Sequence, residues 1–167
     1  MSDLLKRPTP EQVKRLPKAL LHDHLDGGLR PQTIIDIANE IGYDALPTKD
    51  AAELAIWFRE SCDSGSLVRY LETFGHTIAV MQRREDIVRV ARECAIDLAR
   101  DGVVYAEVRM APELITERGL TLSQAIEAIL DTYNHLRVRG EAFIATLDRV
   151  GHDPFKAAAH QARLATA

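Results

Sequence analysis

Residues 18–28 read KALLHDHLDGG: an apolar run, two histidines one residue apart, an aspartate and a pair of glycines. The stretch is short, apolar and stopped by Gly27 and Gly28, which reads as a β-strand running into a loop. Side chains alternate faces along a strand, so His22 and His24 project to the same side, with Cα atoms about 7 Å apart. Two imidazoles converging from one strand can share a metal ion, while Asp23 between them points the other way. Asp26 lies just past the strand end, where a loop can carry its carboxylate over the same mouth. Gly27 and Gly28 let backbone approach a ligand without a Cβ in the way. A bare HxH pair also has a plain explanation, local hydrogen bonding near a strand end. Catalytic zinc usually takes three protein ligands and a water, so two histidines alone leave a site incomplete.

Working outward, Thr9 and Pro10 give an N-cap and first-turn proline for a short helix. A helix starts near Pro31, carries Ile34, Ile35, Ile37, Ala38 and Ile41 on one stripe, and stops at Gly42. Asp50 with Glu53 reads as a capping box opening a helix with Leu54, Trp57 and Phe58. Ser64 or Ser66 caps the next, whose inward stripe is expected to be Leu67, Leu71, Phe74, Ile78 and Met81. A further helix runs from about Arg84 to Arg100, with Ile87, Val90, Ala91, Cys94 and Leu98 inward, and is closed by Asp101 and Gly102. VVYAEVR at 103–109 is the second clear strand. The last helix starts near Ser123, with Ile126, Ile129, Leu130, Tyr133 and Leu136 on one side.

Strands separated by helices imply an α/β chain with parallel strands. Two clear strands cannot cover themselves, so the expectation is the beginning of a larger sheet or barrel. Within 103–109, Tyr105, Glu107 and Arg109 share one parity and are expected to face the interior, with Val104, Ala106 and Val108 toward the helices. Glu107 and Arg109 read as a structural ion pair. The Ala-rich stretch from residue 138 onward is different in character, and AFIATL at 142–147 is its one candidate strand.

The 167 residues, 46% of them apolar, suffice for one globular domain with its own core. A net charge of −4 with scattered Lys and Arg gives no footprint for nucleic acid. No apolar run of about 18 residues is present to span a membrane, and the N-terminus lacks the apolar region of a signal peptide. Cys62 and Cys94 have no CxxC spacing and read as buried thiols in a reducing compartment. A cytoplasmic protein is the expectation.

PKALLHDHLDGGLRPQTI at 17–34, GSLVRYLETFGHTIAVMQ at 65–82 and DGVVYAEVRMAPEL at 101–114 together resemble adenosine deaminases. The resemblance covers about residues 16–137. It implies an α/β fold, the N-terminal and incomplete portion of a (β/α)8 TIM-type barrel, and zinc-dependent hydrolytic deamination of adenosine or deoxyadenosine to the inosine product. By that resemblance His22 and His24 would be zinc ligands. His24 and Asp26 would approach the purine nucleoside, Asp26 at a ribose hydroxyl. Trp57 and Phe58 fall where such enzymes build an apolar lid, with packing in a helix core as the alternative.

The resemblance also implies what is lacking. The family's proton-shuttling glutamate and its later ligands lie in HAGE-like and SLNTDDP-like stretches that are absent here, so no catalytic residue is assigned. His76 and His135 fall within helices as packing or surface residues, and His152 in VGHDP lacks a preceding strand. The chain divides on this reading into a lead-in at 1–17, a partial deaminase domain at 18–137 and a divergent tail at 138–167. A (β/α)8 barrel takes about 250 residues, so a truncated or frame-shifted reading frame is expected. Such a chain is expected to be inactive alone and to self-associate through exposed apolar faces and a free strand edge. The alternative is a non-catalytic remnant that binds metal weakly or docks on a partner. A free-standing helical module is disfavoured by the two apolar strands.

Overall fold

The computed structural model describes residues 7–138 and 145–149. Its elements follow from local chemistry. Helix α1 (Pro10–Arg15) opens with a reciprocal cap, Gln12 N–H donating to Thr9 Oγ1 at 3.3 Å and Thr9 N–H to Gln12 Oε1 at 2.8 Å. Strand β1 (Lys18–His24) follows, then α2 (Pro31–Ile41), which has proline in its first turn and ends on Gly42 at φ 70°, a left-handed residue that glycine supplies without strain. Helix α3 (Ala51–Cys62) is capped by Asp50, which accepts from the N–H groups of Ala52 and Glu53 at 2.9 Å each. The expected capping box is only half made: Glu53 accepts instead from the Thr48 hydroxyl at 2.7 Å, and Thr48 Oγ1 takes the Asp50 N–H. Helix α4 (Leu67–Ala79) is capped by Ser66. Then come α5 (Arg84–Arg100), β2 (Val103–Met110), a 3₁₀ turn (Pro112–Ile115), α6 (Leu122–Val138) and β3 (Ala145–Arg149).

The strands lie in the order β1-β2-β3, and both pairings are parallel. Where two strands were clear in the sequence, the structure has a third, at residues that overlap the candidate 142–147. Helices α5 and α6 cover one face. The core between them and the sheet joins Ile87, Ala91, Ala106, Val108, Ile129 and Leu136. A second cluster, around Ile34, Ile37, Leu54 and Val80, ties α2 to α3. This is the α/β pattern of an incomplete barrel, helices packed outside a parallel sheet.

Two expectations fail instructively. Helix α4 does not bury Leu67 and Leu71, which are 70% and 55% exposed; it buries Thr73 and Thr77. Their hydroxyls donate to the carbonyls of Tyr70 and Phe74, so burial strands no polar group. The apolar stripe was real, but periodicity does not say what will cover it. In β2, Val104 is 64% exposed where its parity called for the helix layer. The register explains this: Lys18 pairs with Val103 and Ala19 with Tyr105, leaving Val104 as an extra, unpaired residue in a bulge.

Ion pairs fasten α2 to α5. Arg30 donates twice to Asp97, at 2.7 and 2.6 Å, and Arg89 bridges Asp36 at 2.7 Å and Glu93 at 3.2 Å. At the far end of α4, the buried Gln82 donates to the carbonyls of Ile78 and Leu114 and accepts the Glu117 N–H, pinning the loop that leaves β2.

Candidate metal centre

The two histidines meet at the C-terminal end of β1. Their Nε2 atoms are 3.2 Å apart and their ring centroids 5.2 Å apart. Two nitrogens bound to one tetrahedral ion at about 2.0–2.1 Å lie about 3.3 Å from each other. The donor pair therefore has the spacing and the chemistry, two imidazoles, that a zinc-like ion needs.

A second bulge puts them there. Leu20 pairs with Ala106 and Asp23 with Val108, so Leu21 and His22 together oppose Glu107. Plain alternation would set Leu20, His22 and His24 on one face. Leu20 in fact packs on the helix-side core, whereas His22 and His24 open into a cleft on the other side. The extra residue reverses the parity between them. Asp23 goes to the helix side as expected, its Oδ2 3.9 Å from Cys94 Sγ. Burial, then the nearby Asp23 carboxylate, push the Cys94 thiol up to about 12. A thiol so buried is inert, which agrees with the plain reading of Cys94; Cys62, by contrast, is exposed.

The cleft has a volume of about 690 Å³ and runs from the histidines between α2, α3 and α4. Phe58 and Phe74 supply aromatic wall, and Arg59 and Thr77 polar positions. The Phe74 ring stands edge-on to His24, with centroids 6.3 Å apart. Its Cε1 and Cζ lie 3.4 Å from where a Cβ on Gly27 would be, ordinary contact distance, so the ring packs directly over Gly27 beside the histidine. Of the two aromatic residues expected near a lid, Phe58 lines this cleft. Trp57 packs on Phe58 and on His76, each at 5.2 Å between centroids. His76 accepts or donates one hydrogen bond with Tyr43 Oη at 2.9 Å, and its burial lowers its pKa. In the sequence Phe74 is visible only as part of a helix stripe; its closeness to Gly27 depends on tertiary packing that no local pattern encodes.

Asp26 is 4% exposed and lies behind His24, not among the residues lining the cleft. Its Oδ1 is 3.5 Å from His24 Nδ1, and its Oδ2 is 3.5 Å from the Ala111 N–H. On β2, Glu107 accepts the Tyr105 hydroxyl at 2.8 Å. Among the described residues no third His, Cys, Asp or Glu joins the pair to form a metal-holding group. His135 lies exposed on α6, and His152 and His160 fall outside the described residues.

Comparison with known proteins bears on the whole arrangement. The sequence model of the family described as adenosine deaminase matches residues 17–147. The chain is 63% identical over 124 residues to adenosine deaminase 1 of Streptomyces coelicolor, covering 74% of this chain and 31% of that protein. In structure it resembles the adenine deaminase of Arthrobacter aurescens, with a TM-score of 0.66 and 28% identity over 78% of this chain and 38% of that one. An amidohydrolase from Burkholderia ambifaria, solved with bound zinc, shares the fold at a TM-score of 0.67 and 24% identity, over 88% of this chain and 40% of its own. The chain thus spans about a third of the length of the curated relatives it matches. Among the described residues no helix is long and apolar enough to cross a membrane.

Proposed function

Because this chain belongs to the adenosine deaminase family, we propose that it supplies the first two zinc ligands, His22 and His24, of a site for hydrolytic deamination of adenosine or deoxyadenosine in the cytoplasm. The observation that carries the reading is the pair of Nε2 atoms 3.2 Å apart at the mouth of a half-apolar cleft. Zinc, when bound, supplies Lewis-acid chemistry to water at the purine. The chain's own part is to hold that ion on a strand end, to wall the cleft with Phe58 and Phe74, and to set His24, backed by Asp26, beside the nucleoside.

Two nitrogens leave zinc short of its usual three protein ligands. Within residues 18–137 we assign no general acid or base for the amine. The 167-residue chain by itself should therefore bind zinc weakly and leave adenosine unchanged. A second reading takes only the imidazole pair that is seen, 3.2 Å apart at Nε2: a non-catalytic segment that binds metal loosely through His22 and His24.

The test is the ultraviolet assay for conversion of adenosine to inosine, paired with zinc titration. Both are run on the parent chain and on a His22→Ala, His24→Ala double variant. Zinc binding in the parent that is lost in the variant supports the ligand assignment. Equal binding by both would remove it. Turnover in the parent that vanishes in the variant would show that this chain completes its own site, with Glu107 and His152 the first groups to test.

A further inference from the structure

The contact behind His24 goes beyond a ligand pair. Asp26 Oδ1 is buried and has no hydrogen-bond partner among the described residues, in a carboxylate only 4% exposed. An acceptor buried without a donor is costly, on the order of 1–3 kcal/mol. His24 Nδ1, 3.5 Å away, can supply a proton to it. From the other side, the Ala111 N–H approaches Oδ2 and holds the carboxylate toward the ring. We infer that Asp26 is a positioning residue that fixes the tautomer of His24, keeping its proton on Nδ1 and its Nε2 lone pair bare toward the cleft.

The assignment runs through both rings. A neutral imidazole carries one N–H. With the His24 proton on Nδ1, its Nε2 can only accept, so the 3.2 Å contact between the Nε2 atoms requires His22 to donate. The order is then His22 Nε2–H to His24 Nε2, and His24 Nδ1–H to Asp26 Oδ1. An ion entering the pair displaces the single proton held between the nitrogens, and the Asp26 contact stays in place. Backing of this kind by an outer carboxylate orients a ligand ring and raises its basicity. This inference rests on the metal reading above only for its consequence; the tautomer itself is a property of the metal-free chain.

Nitrogen-15 NMR of the full chain, labelled at histidine and free of metal, reads the tautomer directly, and a His24→Gln variant identifies the signals. His24 should show a protonated-type Nδ1 and an unprotonated-type Nε2. Asp26→Leu, which removes the acceptor, should move the proton to Nε2. Asp26→Asn keeps an amide oxygen and should retain the parent pattern. Zinc affinity should drop about 10–100-fold in the leucine variant and less in the asparagine variant. A purely structural Asp26 would alter stability without moving the proton. A parent chain with the proton on Nε2 overturns the inference, even if Asp26→Leu does not fold. So does an unchanged tautomer in a folded Asp26→Leu variant. The tautomer as stated in a parent chain that binds no zinc would uphold the role of Asp26 and reject the metal reading.

Discussion

Gln82 offers the sharpest test of how the site is held. Its side chain is buried and makes three hydrogen bonds: to Ile78 O at 2.9 Å, to Leu114 O at 2.8 Å and from the Glu117 N–H at 2.9 Å. Replacing it with leucine removes all three. Ile78 O keeps another donor, the Met81 N–H at 3.0 Å, so it is not stranded. Leu114 O and the Glu117 N–H are left without these partners in a partly buried loop. At about 1–3 kcal/mol for each stranded group, reduced at the wetter end, the expected loss is about 2–4 kcal/mol. With a urea slope in the middle of the usual range, about 2 kcal/mol/M, the midpoint should fall by about 1–2 M. Trp57, the single tryptophan, is a fluorescent reporter for the transition. Gln82→Glu keeps the acceptor but loses the donors, so its loss of stability relative to the parent should shrink as pH falls from 8 toward the ordinary glutamate range of about 4.3, where protonation restores one donor. A leucine variant whose midpoint stays within about 0.3 M of the parent would refute the claim that this residue pins the loop carrying Ala111 toward Asp26.

Three further expectations follow from contacts already described. Hydrogen bonds from Arg30 hold the Asp97 carboxyl below the usual range, and one from Arg89 with a second from Gln32 does the same for Asp36. A folded pKa below the unfolded value of about 3.9 contributes stability that is fully present above that value and is lost as pH falls from there through the lower folded pKa; urea midpoints should drop below about pH 4, and less steeply in Asp97→Asn, while equal slopes would reject the linkage. With its thiol pushed up to about 12, Cys94 should resist a thiol reagent at pH 8 under native conditions while exposed Cys62 reacts, and mass spectrometry showing equal labelling would contradict that. The exposed Leu67, Val68 and Leu71 on α4 should drive self-association, which Leu67→Glu with Leu71→Glu should weaken; sedimentation that finds the parent already monomeric would dismiss this.

What the sequence disclosed depended on how local the cause was. Thr9, Gly42, Asp50 and Gly102 act within a few residues of themselves, and the boundaries they mark are where the structure has them. The parallel neighbours β1 and β2 were legible because their composition and the helices between them leave few other arrangements. The face that α4 buries was not, since Thr73 can replace an apolar residue once its hydroxyl finds a carbonyl of its own helix. The pairing of His22 with His24 was legible, but the burial of Asp26 was not. Its place behind His24 is set by Ala111, 85 residues away in the chain.

The two bulges give β1 a property that plain strands lack. They are opposite in sense: β2 holds the extra residue near its start, at Val104, and β1 holds it later, at Leu21 and His22. The strands are thus offset alike at both ends, Lys18 with Val103 and His24 with Arg109, and slipped by one only between. The histidines take their position from the end nearer the cleft, where the Leu25 N–H donates to Arg109 O at 2.9 Å. Leu21 is spare length. Removing it would let β1 run evenly from Leu20 to His24, with Leu20 still in the core and both imidazoles still over the cleft. A strand built with slack upstream of its working residues can absorb the loss of one residue there without moving them, whereas an insertion between His22 and His24 has nothing to absorb it.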